Sequence, residues 1–252
     1  DALAFYKAHY TPANAILIVA GDAQPGHVKA LAEKHYGVLK NTLTPMPRLR
    51  TPEPAPIAAR RVIMTDPRAS APIFQRSYLG PTYSTAENRD AHALDLLADI
   101  LGGGTQSRLY KDLVIDQKIA AQAAAWYSGD ALDSGTFGVY AAPNAGVELD
   151  KVEAAVDVIL ADVLKNGVTQ KELDRVRDKS IAEQVYTLDD QATLARIAGA
   201  GVATGLDARA VFSRDVEMLK VSLDDIRMAA AKVIRINRSV TGILLPETSP
   251  QN

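Results

Sequence analysis

Apolar residues recur along this chain with two periods, and the switches between them mark its elements. Before Gly102, apolar side chains at Ala93, Leu94, Leu97, Ile100 and Leu101 line one face of a helix predicted over residues 85–101. After the glycines, Leu109, Leu113 and Val114 repeat the pattern over residues 107–115. The stretch Leu101-Gly102-Gly103-Gly104-Thr105-Gln106-Ser107-Arg108-Leu109-Tyr110 is therefore a glycine hinge between two helices. The first glycine is expected to end a helix in the left-handed conformation, and Ser107 to cap the next by accepting a bond from an exposed N–H.

The other elements follow from the same reading. Residues 2–10 predict a short helix with Leu3, Phe5 and Tyr6 inward, stopped at Thr11-Pro12. Residues 14–20 predict a buried strand, and residues 25–36 a helix stopped by Gly37. Prolines at 45, 47, 52, 54 and 56 make residues 41–58 an extended connector. Strands are predicted at 60–65 and 73–79, with a turn at Asp66-Pro67 between them, and at 120–127 and 136–142 as a hairpin. Residues 148–165 form a strongly periodic helix closed by Asn166-Gly167, and Thr169 with Glu172 has the spacing of a capping box. Up to four helices fill 169–234, a last strand covers 239–245, and 247–252 reads as a flexible tail.

Hairpin strands interrupted by helices imply an α+β fold of two layers, a mostly antiparallel sheet packed against helices on one side. Its predicted core includes Leu3, Phe5, Ile16, Ile18, Leu97, Leu101, Leu109, Val156, Leu160 and Val240.

Composition narrows the chemistry. Of 252 residues, 47% are hydrophobic and 23% charged, enough for a packed core without staples. The absence of cysteine excludes disulfides, thiolate zinc sites and a cysteine nucleophile together. A net charge of −2 with interspersed signs gives no basic face for nucleic acid. The apolar run at residues 15–20 is far too short to span a bilayer. Because the chain opens at Asp1 already inside an amphipathic pattern, it is expected to be a piece of a longer precursor.

Three motifs, in order, carry a resemblance. The opening Phe5-Tyr6 to Tyr10-Thr11-Pro12-Ala13-Asn14-Ala15, with its apolar strand and Gly21-Asp22, comes first; the glycine loop with Ser107-Arg108-Leu109-Tyr110 second; and Gly167-Val168-Thr169-Gln170-Lys171-Glu172-Leu173 third. Together they resemble the second domain of M16 (pitrilysin- and insulinase-like) zinc peptidase subunits, from residue 1 to about 246. The resemblance implies a LuxS/MPP-like metallohydrolase fold and a single C-terminal-type domain over 1–246. It also implies a non-catalytic role, closing a chamber in which unfolded peptides are cut. The expected partners are a preceding M16 N-terminal domain, a second M16 half and the peptide substrate. A bacterial periplasmic location is implied as well. In this family zinc polarises the carbonyl and activates water, and a glutamate acts as base, on an inverted His-x-x-Glu-His motif.

None of His9, His27, His35 and His92 has that motif; His92-Ala93-Leu94-Asp95 comes nearest, with aspartate for glutamate and no second histidine. Zinc is therefore expected only in the upstream domain, and the chain alone is expected to be inactive. In the family's non-zinc halves an arginine, followed seven residues later by a tyrosine, helps hold substrate; Val114 and Ala121 stand at those positions here. The resemblance is thus to the zinc-bearing half. Gly102, Gly103, Gly104, Arg108 and Tyr110 are the candidate substrate or interface residues, with no catalytic or metal residue in this chain. A scaffold subunit that has lost catalysis is the alternative, and an unrelated domain holding a small anion at the glycines is a third. Asp189-Asp190 and Asp224-Asp225 are read as helix starts, Gln122 and Trp126 as sharing a strand face, and Trp126 as core.

Overall fold

The computed structural model describes residues 1–41, 51 and 54–247. In chain order the helices and strands begin with α1 (Ala2–His9), α2 (Pro25–His35), β1 (Arg60–Asp66), β2 (Ile73–Gly80) and α3 (Asp90–Gly102). After a π-helical turn at Tyr110–Asp116 come β3 (Ala120–Ser128), β4 (Gly135–Pro143), α4 (Leu149–Asn166) and α5 (Gln170–Leu188). The rest is α6 (Gln191–Ala203), α7 (Ala208–Phe212), α8 (Arg214–Met218), α9 (Leu223–Val233) and β5 (Ser239–Pro246). The chain divides into two compact units, residues 1–53 with 184–212, and residues 54–183 with 213–252.

In the first unit, α1 forms where expected, but Leu3, Phe5 and Tyr6 do not point inward: they are 65%, 60% and 56% exposed. The buried strand predicted at 14–20 is also absent. Pro12–Asn14 is a 3-10 turn, and the residues after it run without a ladder, Ile16 and Leu17 exposed and Ile18 half-buried. Apolar periodicity records that side chains seek burial; it does not say which surface buries them. Asp190 caps α6 by accepting from the N–H groups of Ala192 and Thr193, as an acidic helix start should. Most of the proline connector, residues 42–50 and 52–53, lies outside the described residues, as does all of the predicted tail after Glu247.

The second unit holds the sheet, in the order β1-β5-β2-β4-β3. β3 and β4 form the predicted hairpin, with Trp126 opposite Gly138. β1 and β2, read as neighbours across a turn, are separated by β5, which pairs parallel to β1 and antiparallel to β2. Alternation predicts strands but not partners, and a long-range strand can enter between two local ones. One face of the sheet supplies Phe74, Tyr78, Phe137, Val139 and Ile243 to a core completed by α3, α4 and α9. Leu97, Leu101, Leu109, Val156 and Leu160 are in that core as predicted, whereas Val240 is on the other face. Buried Arg76 ties the layers together, donating from Nε to Thr241 Oγ1 at 3.0 Å and pairing with Glu153 at 2.6 Å and with Asp157 on α4.

Three local predictions change. Helix α3 begins at Asp90 instead of residue 85, because hydroxyl bonds among Thr82, Ser84 and Thr85 stabilise a turn and Asn88 adopts a positive φ of 54°. Residues 169–234 hold five helices rather than up to four. The helix after the glycines widens into the π turn, closed by Gln117 N–H bonding to Asp112 O.

Candidate functional site

Each glycine of the loop has a different physical reason to be there. Gly102 ends α3 against β3, where a Cβ would overlap the Ala124–Ala125 backbone. Gly103 donates its N–H to Asp99 O at 3.0 Å, and a Cβ there would collide with Asp99. The left-handed glycine is thus not the first but the third: Gly104 has φ +128° and open space around it. Lys179 fastens the loop from outside, its Nζ reaching both Asp99 oxygens at 3.0–3.1 Å and Gly103 O at 3.3 Å. Ser107 is buried, but it donates from Oγ to Gly104 O at 2.6 Å instead of accepting from the next helix.

Arg108 is held by the protein itself. Its guanidinium donates to both oxygens of Glu172, to Asp162 and to Gly167 O. It forms part of the wall of a groove of about 940 Å³ with Thr105, Gln106, Asp162 and Arg175. Gly102, Gly103, Gly104 and half-buried Tyr110 do not line this groove. The five residues singled out by sequence therefore do not converge on one cavity: Gly102 serves the close approach of α3 to β3, Gly103 and Gly104 serve the turn that follows it, and Arg108 serves the helix ends beneath it.

A second surface lies on the sheet. Strand pairing places Val62, Gly242, Gln75, Tyr140 and Ala124 in one row across all five strands, and Arg60, Val240, Ser77, Gly138 and Trp126 in the next. These rows lie on the face opposite the core. Leu79 and Met64, on the same face, are each 54% exposed. Trp126 is not core: it is half-exposed and lies flat enough over Gly138 that a Cβ there would overlap its ring. Gln122 shares its face, as predicted, and accepts a long bond from Tyr140 Oη at 3.4 Å. This face, mixing aromatic, amide and small residues, was missed in the sequence because no single strand reveals the row it joins.

A cluster of titratable groups sits where α3, the β3–β4 turn and α8 meet. Tyr83 donates to Asp95 Oδ2 at 2.7 Å, the Arg214 guanidinium stacks 3.9 Å above the Tyr83 ring, and Arg214 pairs with Asp130. Burial pushes Asp95 up to about 6 despite the Tyr83 bond, and pushes the Tyr83 phenol up as well. His92 packs edge-on to Tyr83 at 5.1 Å, and burial, with Arg214 and Arg89 nearby, lowers its basicity. Among the described residues its buried Nδ1 has no hydrogen-bond partner. Two cations beside a lone imidazole are a poor setting for a dication. Among the described residues no group of three or more His, Cys, Asp or Glu side chains is placed to hold a metal ion, and no helix is long and apolar enough to cross a membrane.

Comparison with known proteins gives a consistent result. Residues 1–180 match the family model described as "Peptidase M16 inactive domain". The chain is 27% identical over 250 residues to the zinc protease PqqE of Helicobacter pylori, covering 98% of this chain and 54% of that protein. Among solved structures, a protease from Helicobacter pylori superposes with a TM-score of 0.89 at 24% identity, over 96% of this chain and 58% of the other. A peptidase M16 inactive domain from Pseudomonas fluorescens superposes with a TM-score of 0.71 at 20% identity, over 92% and 53%. The chain thus spans little more than half the length of these relatives.

Proposed function

The chain belongs to the Peptidase M16 inactive domain family, and from that premise we propose that it is the non-catalytic, chamber-forming second domain of a zinc metalloendopeptidase subunit that acts on unfolded peptides. The observation that carries this reading is the open sheet face. Within the second unit, among the described residues, α3, α4 and α9 back one side of the sheet, and the other side presents Trp126, Tyr140, Gln75 and Gln122 in adjoining rows. Such a surface offers aromatic contact and amide hydrogen bonds without a deep, selective pocket, which suits a wall that meets many unfolded sequences.

In this proposal the zinc, the general base and the attacking water belong to a preceding M16 N-terminal domain, and a second M16 half closes the chamber. The periplasm is its proposed site of action, checked by cell fractionation. The direct test measures zinc content and cleavage of an unfolded peptide, on this chain and on the full-length protein with its partner half. Zinc and cleavage confined to the longer assembly support the proposal. Stoichiometric zinc and cleavage in this chain alone would overturn it. An assembly that folds and pairs yet neither binds zinc nor cuts favours the alternative, a scaffold subunit.

A further inference from the structure

An asparagine followed by glycine readily loses its side-chain amide, because glycine, without a Cβ, leaves the attacking backbone nitrogen unhindered. The chain contains this pair once, at Asn166-Gly167; Asn14, Asn41, Asn88, Asn144 and Asn237 all precede larger residues. Asn166 is the exposed last residue of α4, and Gly167, with φ +75°, ends the helix. Water can therefore reach the amide that would react.

The fold holds both reacting groups. The Gly167 N–H donates to Val163 O at 2.9 Å, closing the last turn of α4. Asn166 donates from Nδ2 to Asp162 Oδ1 at 2.6 Å, and Arg108 Nη2 donates to Gly167 O at 3.1 Å. Arg108 also reaches Asp162 Oδ2 at 3.0 Å and both oxygens of Glu172. One guanidinium thus anchors the carboxylate that holds the amide and the carbonyl that follows it. Attack needs the Gly167 nitrogen to leave Val163 and turn onto the Asn166 side chain, so the last turn of α4 must open first.

We infer that Asn166 is a deamidation site whose rate is set by opening of the Arg108-anchored end of α4. In the reaction the Gly167 backbone nitrogen bonds to Asn166 Cγ, the bond from Cγ to the amide nitrogen breaks, and ammonia leaves with the backbone proton. The cyclic imide then takes up one water at either carbonyl and opens to aspartate or isoaspartate. Aspartate sets a second carboxylate beside Asp162, where a donor stood. Isoaspartate also lengthens the main chain by one carbon and shifts Gly167 away from Val163 and Arg108. Either product loosens the joint between the π turn, α4 and α5. The inference does not rest on the peptidase reading.

Peptide mapping by mass spectrometry tests this on the chain kept at mildly alkaline pH, folded and in guanidinium. In denaturant Asn166 should convert as fast as a short Asn-Gly peptide, and in the folded chain about tenfold slower or more. Arg108→Ala should speed the folded conversion about tenfold, with Arg108→Lys between it and the parent. Circular dichroism checks that both variants are folded. Asn166→Gln should show no conversion at this position, and Asn166→Asp should melt below the parent. Conversion in the folded parent as fast as in denaturant overturns the inference. Equal rates in the parent and in both folded Arg108 variants also overturn it, by showing that the guanidinium does not guard the site.

Discussion

Arg108 and Glu172 meet fork to fork, with Nε 2.6 Å from Oε1 and Nη2 2.8 Å from Oε2. The pair joins three chain segments. Glu172 also receives the Thr169 N–H and hydroxyl at the start of α5, and Arg108 also donates to the carbonyl of Gly167, the φ +75° residue that ends α4. Arg108→Ala is expected to lower stability by about 2–4 kcal/mol in denaturant titration. Arg108→Lys should recover only part of it, since an ammonium cannot bridge both oxygens.

The same pair sets an acid limit. Burial alone would raise the Glu172 carboxyl, but bonds from Arg108 and Thr169 outweigh it and hold it at about 2. Because the folded value lies below the ordinary 4.5, this contribution is complete above pH 4.5 and is lost as pH falls toward 2. In Glu172→Gln the loss of stability across that window should be shallower than in the parent, measured by melting midpoints at fixed salt.

Asp95 has the opposite sign. Its folded value, near 6 against an ordinary 3.8, means the folded protein holds the proton more tightly than the unfolded chain. Its ionisation therefore costs stability above pH 6, and this cost fades as pH falls from 6 toward 3.8. Asp95→Asn keeps an oxygen for the Tyr83 hydroxyl and removes the buried charge. It should stabilise the protein at pH 8 by on the order of 1–2 kcal/mol and have little effect near pH 4.

The glycines should differ when each is changed to alanine. Gly102→Ala forces α3 away from β3 and is expected to cost about 3 kcal/mol or more. Gly104→Ala meets no neighbour and pays only for its positive φ, about 1–2 kcal/mol. Equal effects in thermal melts would show that helix-to-strand contact is not what makes Gly102 necessary.

On the open face, Trp126→Ala and Tyr140→Ala should raise KM for an unfolded peptide about threefold to tenfold in the assembled enzyme, with zinc content and kcat unchanged. Unchanged KM in both variants would remove this face from substrate contact.

Local elements were legible in the sequence wherever a single segment determines its own fate. The Thr169–Glu172 box and the Gly167 stop are self-contained, and the β3–β4 hairpin joins neighbours. What could not be read was long-range. Val240 looks like core from its apolar run, but the register with Ser77 turns it to the open face. Leu3, Phe5 and Ile16 have core character, yet the surface that would bury them is not among the described residues. At the candidate site, Arg108 was found because it follows the glycines, while Glu172, Asp162 and Gly167 lie 54–64 positions away and carry no local mark of the contact.

The position of β5 between β1 and β2 also dictates an order of events during synthesis. Until residue 246 has left the ribosome, β1 has no neighbour and β2 offers one bare edge, so the nascent sheet waits with a gap in its middle for about 160 residues of chain. Bare edges are where nascent chains associate wrongly. The last strand to emerge therefore acts as the keystone, and ending the chain at Arg238, before β5, should leave these edges bare and promote aggregation, measured by sedimentation of the product.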